Sequence, residues 1–187
     1  MPPSNTTRVF LAADLDNTTR SLLLAHLDEH VGPEMPGRPV AAANWHITLR
    51  SVGTASPTVV DRLIFEVDRR LDDSVFDVGF GGLGAFPKAQ RASVLWLGVR
   101  GGASGLRGLA EACEAGAVAA GFDSEGRPFH PHVTLSRIRP VRDVGSVVEE
   151  FPGFAVSTTI DAVTLFASHL GPGGARYEAL ERFELSG

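Results

Sequence analysis

The apolar positions of this chain can be followed as strand and helix patterns from end to end. RVFLAADL at 8–15 is apolar and β-prone and predicts a strand. RSLLLAHLDEHV at 20–31 carries apolar residues at helical spacing and stops before Gly32-Pro33. VGPEMPGRPV reads as a loop from its Pro and Gly content, and NWHITLRSVG as a strand. SPTVVDRLIFEVDRRLDD predicts a helix, with Ser56 as N-cap and Pro57 in the first turn. SVFDVGFGGLGAF and ASVLWLGVR predict two strands, and an Ala-rich helix capped by Ser104 follows at roughly 104–120. After the polar loop GFDSEGRPFHP come the strand HVTLSRI and the short helix VGSVVEEF. TIDAVTLFASHL and ARYEALERFEL then read as two final strands.

This order of elements repeats. His46 lies 38 positions after Arg8, where the first strand begins, and His132 lies 38 positions after Val94. Each half runs strand, helix, loop, His-x-Thr strand, helix, strand. The pattern predicts one α+β domain over 1–187, built as a pseudo-two-fold repeat of roughly 8–86 and 94–168 with a last strand at 176–185. Packed about a two-fold axis, such units set the two His-x-Thr strands face to face. No linker or low-complexity segment divides the chain.

Composition narrows the function. The 187 residues suit one domain or two small lobes. A net charge of −5 excludes a molecule that is a nucleic-acid sponge over its whole surface. A local basic groove stays open, because all 17 cations but Lys88 are Arg, whose planar fork suits phosphate. The lone Cys113 rules out an internal disulfide and reads as a small buried packing residue. MPPSNTTR has no apolar signal core, and no stretch approaches the roughly 18 apolar residues of a membrane span. The expectation is a cytoplasmic monomer with no membrane contact.

Side chains alternate faces along a strand. His46 and Thr48 therefore share one face and Ile47 and Leu49 the other; His132 and Thr134 likewise oppose Val133 and Leu135. The aliphatic pairs belong in a core, and the His/Thr pairs face something polar. Two imidazoles and two hydroxyls in one cleft suit phosphodiester chemistry. An imidazole with a pKa near ~6.5 takes or gives a proton near neutrality, and each such transfer is worth ~10²–10⁴-fold. Threonine hydroxyls can donate to phosphate oxygens where charge builds up. The scheme needs no metal and no cofactor.

HITL at 46–49 and HVTL at 132–135 resemble the paired tetrads of the two-histidine (2H) phosphoesterase superfamily. Within it, the chain looks like the RNA 2′,3′-cyclic phosphodiesterases, also called the 2′-5′ RNA ligase family. RVFLAADL, the FP and VLWLGV of 86–99, and FASHLGPGGARYEALERFEL extend the likeness over nearly the whole chain. The resemblance implies a bilobal fold of two antiparallel sheets flanked by helices, with the active-site cleft between the lobes. It implies hydrolysis of an RNA 3′-terminal cyclic phosphate to a 2′-phosphomonoester, and relatives also join RNA ends through a 2′-5′ linkage. Carried over, His46 protonates the departing O3′, His132 activates water, and Thr48 and Thr134 hold the phosphate.

The family often places an arginine just after the second tetrad, and Arg137 is the match. Strict alternation points it away from His132 unless the strand ends or bulges. Arg50 shares the parity of His46 and could reach the cleft mouth. Relatives commonly read Phe-Arg-Pro-His where this chain has FHPH, so His130 replaces a basic substrate contact.

Other readings compete. Asp14 and Asp16 in AADLDNTT resemble the Asp-x-Asp-x-Thr of Mg²⁺-dependent phosphatases, with Asp14 as nucleophile. That scheme also needs a downstream lysine and a later acidic pair, and no Gly-Asp-x-x-x-Asp follows Lys88. His26 and His30 stand at helical i, i+4 spacing, and His130-Pro-His132 could chelate a metal. RGGASG at 100–105 lacks the Gly-Lys-Ser/Thr ending of a phosphate loop. Rival functions are the same chemistry on a small cyclic nucleotide, and a non-catalytic RNA-end-binding module.

Overall fold

The first strand, β1 (Thr7–Asp14), buries five consecutive residues from Val9 to Ala13, because it runs through the middle of a sheet. This computed structural model describes residues 6–187; the first five, part of the N-terminal segment read above for a signal core, lie outside the described residues. Helix α1 (Asn17–His30) begins three residues earlier than its apolar spacing predicts. The reason is Asp16, whose carboxylate accepts from the Thr19 N–H at 2.8 Å and caps the first turn. A short 3₁₀ turn leads to β2 (Arg38–Pro39), and then come β3 (His46–Ala55) and α2 (Pro57–Asp68).

Strands β4 (Phe76–Phe86) and β5 (Ala92–Gly101) form a hairpin, followed by α3 (Ala103–Ala119) and β6 (His132–Arg142). The chain ends with α4 (Gly145–Glu150), β7 (Ser157–Ile160), β8 (Ala162–Gly171) and β9 (Gly174–Glu184). Two predicted caps differ. Ser56 makes no side-chain cap bond at α2, and Gly102, not Ser104, precedes α3. Gly102 has φ +77°, and a Cβ there would lie 2.3 Å from the Asp77 carbonyl oxygen, so this sharp entry excludes a side chain.

The strands lie in the order β7-β4-β5-β6-β3-β1-β8-β9, with β2 on β6 and every pair of named strands antiparallel. The two expected sheets are the halves β7-β4-β5-β6 and β3-β1-β8-β9. They join through one residue pair, Ile47 with Val133. In antiparallel order, His46 and Thr134 flank that pair on one side and Thr48 and His132 on the other. Ile47, Leu49, Val133 and Leu135 are all buried in one continuous core with the helices, as the alternation requires.

The last strand of each half-sequence crosses over. β4 pairs with β5, and β8 pairs with β1. TIDAVTLFASHL, predicted as one strand, is two: β7 pairs with β4 in one half of the sheet, and β8 pairs with β1 and β9 in the other. Asp161 lies between them, and its carbonyl accepts from the Leu185 N–H at 2.8 Å. Cys113 is fully buried. Among the described residues no helix is long and apolar enough to cross a membrane.

Candidate active site

His46 opens β3, and a backbone carbonyl two residues earlier sets its ring. Nδ1 lies 2.7 Å from the Asn44 carbonyl oxygen. A carbonyl can only accept, so Nδ1 carries the proton and Nε2 keeps a lone pair in the neutral ring. Nε2 lies 3.0 Å from Thr48 Oγ1, whose hydroxyl donates to it. Phe10 and Tyr177 wall the ring, with centroids at 4.9 and 5.3 Å. Burial pushes the His46 pKa below the ordinary imidazole value, to about 4; the Asn44 carbonyl works against the shift, and His132, Arg20 and Arg137 add to it.

His132 repeats this arrangement at the start of β6. Its Nδ1 lies 2.7 Å from the His130 carbonyl oxygen, again two residues back. The asymmetric flanks of the two motifs, NW and HP, therefore deliver the same bond. Phe86 and Trp96 wall this ring at 5.0 and 6.0 Å. Burial also lowers its pKa, opposed by the His130 carbonyl and reinforced by the His130 ring and Arg137.

A β-bulge at the last residue of each tetrad decides which arginine reaches the face of the histidines. In β6, Leu95 pairs with Ser136 but Trp96 with Thr134, so Leu135 is the extra residue. Leu135 and Ser136 are both buried, and beyond them the parity is inverted. Arg137 is therefore exposed on the face of His132 and Thr134, where its charge acts on both histidines. In β3, Leu11 pairs with Arg50 but Ala12 with Thr48, so Leu49 is extra. Here the same inversion corrects the expectation for Arg50. It turns away from the cleft, is 7% exposed, and forms an ion pair with Glu114 and a hydrogen bond to the Asp123 carbonyl. Ser51 occupies the place that Arg137 holds in β6.

His130 is exposed at the cleft edge, its ring 4.9 Å from Trp96 and 5.4 Å from Phe86. Its main contribution within the protein is the carbonyl that orients His132, which residue type alone did not announce. Trp96 lies flat over Gly84, where a Cβ would come within 2.2 Å of the indole. Nothing in residue type marks this aromatic wall, nor Arg20, which bonds Asp14 and the Trp45 carbonyl beside His46. The pairing of Asp14 with His46 across β1 and β3 could have pointed to it only once the register was known.

The competing constellations do other work. Asp16 caps α1 and accepts from Thr158 Oγ1 at 2.6 Å, and that bond holds its carboxyl down at about 2. His26 and His30 meet edge to face, with ring centroids 4.4 Å apart, beside Phe151. No group of three or more His, Cys, Asp or Glu side chains among the described residues is arranged to hold a metal.

The family model of the 2′-5′ RNA ligase superfamily matches residues 27–172. The chain belongs to this superfamily. The superfamily is that of the two-histidine phosphoesterases, a family of phosphodiester hydrolases. The RNA 2′,3′-cyclic phosphodiesterase of Escherichia coli K12 is 34% identical over 180 residues, covering 96% of this chain and 97% of the relative. The enzyme of the same name from Aeropyrum pernix is 39% identical over 123 residues, covering 64% and 66%. Among solved structures, E. coli LigT complexed with 3′-AMP superposes with a TM-score of 0.81 at 32% identity, covering 97% of this chain and 99% of that one. The superfamily likeness thus spans both tetrads and both halves of the sheet.

Proposed function

We propose that the protein opens RNA 2′,3′-cyclic phosphate ends to 2′-phosphomonoesters, with His46 and His132 as its acid–base pair. One observation carries this reading. Both Nδ1 atoms are fixed on backbone carbonyls, which leaves both Nε2 atoms as working nitrogens on the face that also bears Thr48 and Thr134. Water attacks phosphorus while one imidazole takes its proton. The P–O3′ bond breaks, and O3′ takes a proton from the other ring. The step consumes one water, and the rings reset by exchanging protons with solvent.

Thr48 and Thr134 donate to the non-bridging oxygens; the Thr48 hydroxyl rotates from His46 Nε2 to the phosphate to do so. Arg137 offsets the charge of the diester. The resemblance gives His46 the donor role and His132 the acceptor role. In the free protein both rings are held toward the neutral form, and the arriving phosphate anion favours the imidazolium that the acid must become. A 5′-hydroxyl in place of water would leave a 2′-5′ linkage by the same bond changes. We also read the chain as one domain made of the two units 8–86 and 94–168. The names of the relatives and the 3′-AMP bound to E. coli LigT support a nucleotide in the cleft.

The deciding experiment is product analysis on an oligonucleotide ending in a cyclic phosphate, with EDTA present. A 2′-phosphate is expected, with turnover nearly abolished in His46→Ala and in His132→Ala while both variants stay folded. A strict requirement for Mg²⁺, a 3′-phosphate product, or substantial activity in either variant would overturn the scheme.

A further inference from the structure

We propose that a strip of cations leading out of the cleft along β6 and the β4–β5 turn binds the backbone phosphates of an RNA strand upstream of the reacting end. The inference rests on the nucleotide reading of the cleft and extends it from one terminal nucleotide to an oligonucleotide. Six cations form the strip: Arg38, Lys88, Arg91, Arg137, Arg139 and Arg142. Arg38 stands opposite Arg137 in the β2–β6 ladder. Val94 pairs with Arg137 and Ala92 with Arg142, so β6 runs from the cleft towards the turn that carries Lys88 and Arg91. The Val144 N–H bonds the Ala89 carbonyl at 2.8 Å and ties the end of β6 to that turn. The strip therefore runs from Arg38 and Arg137, with the Arg38 guanidinium reaching towards Gly174 of β9, along β6 to the turn with Lys88 and Arg91, and all six residues are exposed.

Arg8, Arg62, Arg100, Arg107 and Arg176 also stand outside any ion pair among the described residues, so what distinguishes the six is that they lie together along one strand and its adjoining turn with no acidic partner. The chain has more acidic than basic residues, and Arg20, Arg50, Arg69, Arg70, Arg127 and Arg182 all sit in ion pairs. Among the described residues no carboxylate lies within ion-pairing distance of any of the six. The neighbouring acid, Asp143, instead accepts from the Gly145 N–H at 2.8 Å at the start of α4. Like charges crowded without counter-charge repel one another, and a polyanion relieves that repulsion. Five of the six are Arg, whose fork binds phosphate bidentately. Arg137 belongs both to the strip and to the catalytic face, so a strand whose end lies between the histidines leaves along it. A local cluster of this kind also reconciles RNA binding with a net charge of −5.

The test compares the wild type with the triple variants Lys88→Glu/Arg91→Glu/Arg142→Glu and Lys88→Gln/Arg91→Gln/Arg142→Gln. Turnover is measured on a 2′,3′-cyclic mononucleotide and on a ten-nucleotide RNA ending in the cyclic phosphate. Binding of a fluorescent ten-nucleotide RNA ending in a 3′-phosphate is followed by anisotropy at several salt concentrations. Each neutralised single-strand phosphate adds about −0.7 to the slope of log K against log salt. The neutral triple should therefore flatten the wild-type slope by about two, and the charge-reversed triple should bind at least tenfold more weakly. Turnover of the oligonucleotide should fall in parallel while that of the mononucleotide stays unchanged. Equal effects on both substrates, or no change in binding or slope, would overturn the strip. If the wild type turned over neither substrate, the hydrolase reading would fail, and anisotropy would still decide the strip.

Discussion

His46 and His132 hold their rings by the same bond and differ in how deeply each is placed. His46 is the one driven down to about 4. That inequality gives a test of role. Aryl phosphodiesters such as bis-p-nitrophenyl phosphate have a leaving group that departs without a proton. A variant lacking the general acid should keep its activity on this substrate while losing it on the cyclic ester; a variant lacking the general base should lose both. The resemblance predicts that His46→Ala is the variant rescued. Rescue of His132→Ala instead would exchange the roles, and the lower pKa of His46 in the free protein is the observation that favours that exchange. The same pKa bears on stability. Between about pH 6.5 and 4 the unfolded chain binds a proton at this ring and the folded chain does not. Stability should therefore fall with pH across that window, by up to about 3 kcal/mol, and be fully present above it. Urea denaturation at pH 4.5 and 7 measures this, and His46→Gln should reduce the difference. The imidazoles were legible as a pair in the sequence because the motif repeats. Their carbonyl anchors were not, since any residue two positions back supplies a carbonyl.

At the scale of elements, one extra residue at the end of each tetrad, Leu49 or Leu135, does what residue type could not announce. Period-two alternation has no local signature for a bulge, so Arg50 reads as facing the cleft and Arg137 as facing away. The structure reverses both. The bulge in β3 lets Arg50 join β3 to α3 through Glu114, and Glu114 also accepts from the Glu125 N–H at 2.9 Å in the segment leading towards His132. Arg50→Ala leaves that carboxylate without its partner and should cost on the order of 3 kcal/mol in urea denaturation, as the loss of one member of a largely buried pair does. Cleft contacts predict a different result: a large rise in KM with unchanged stability. The helices and most strands were legible from periodicity, because each has an apolar face at its own spacing. The division of TIDAVTLFASHL was not, because its two parts differ in pairing partner and not in composition.

The exchange of β4 and β8 makes the two halves of the molecule depend on each other. Residues of the first half-sequence supply the strand on which β5 and β7 both pair, and residues of the second supply the strand that separates β1 from β9. Neither half-sequence can complete its own sheet, and each alone would expose an unpaired central edge and part of the shared core. A cut at the β4–β5 turn, between Ala89 and Gln90, tests this. Segments 1–89 and 90–187 expressed separately should each fail to unfold cooperatively by circular dichroism. Co-expressed, they should assemble into a complex with both tetrads in place and recover phosphodiesterase activity. Cooperative unfolding of either segment alone would mean that the exchange is a detail of connection. Assembly that needs both segments would mean that the cleft exists only because each half lends a strand to the other, with His46 and His132 meeting at the seam where only Ile47 and Val133 pair.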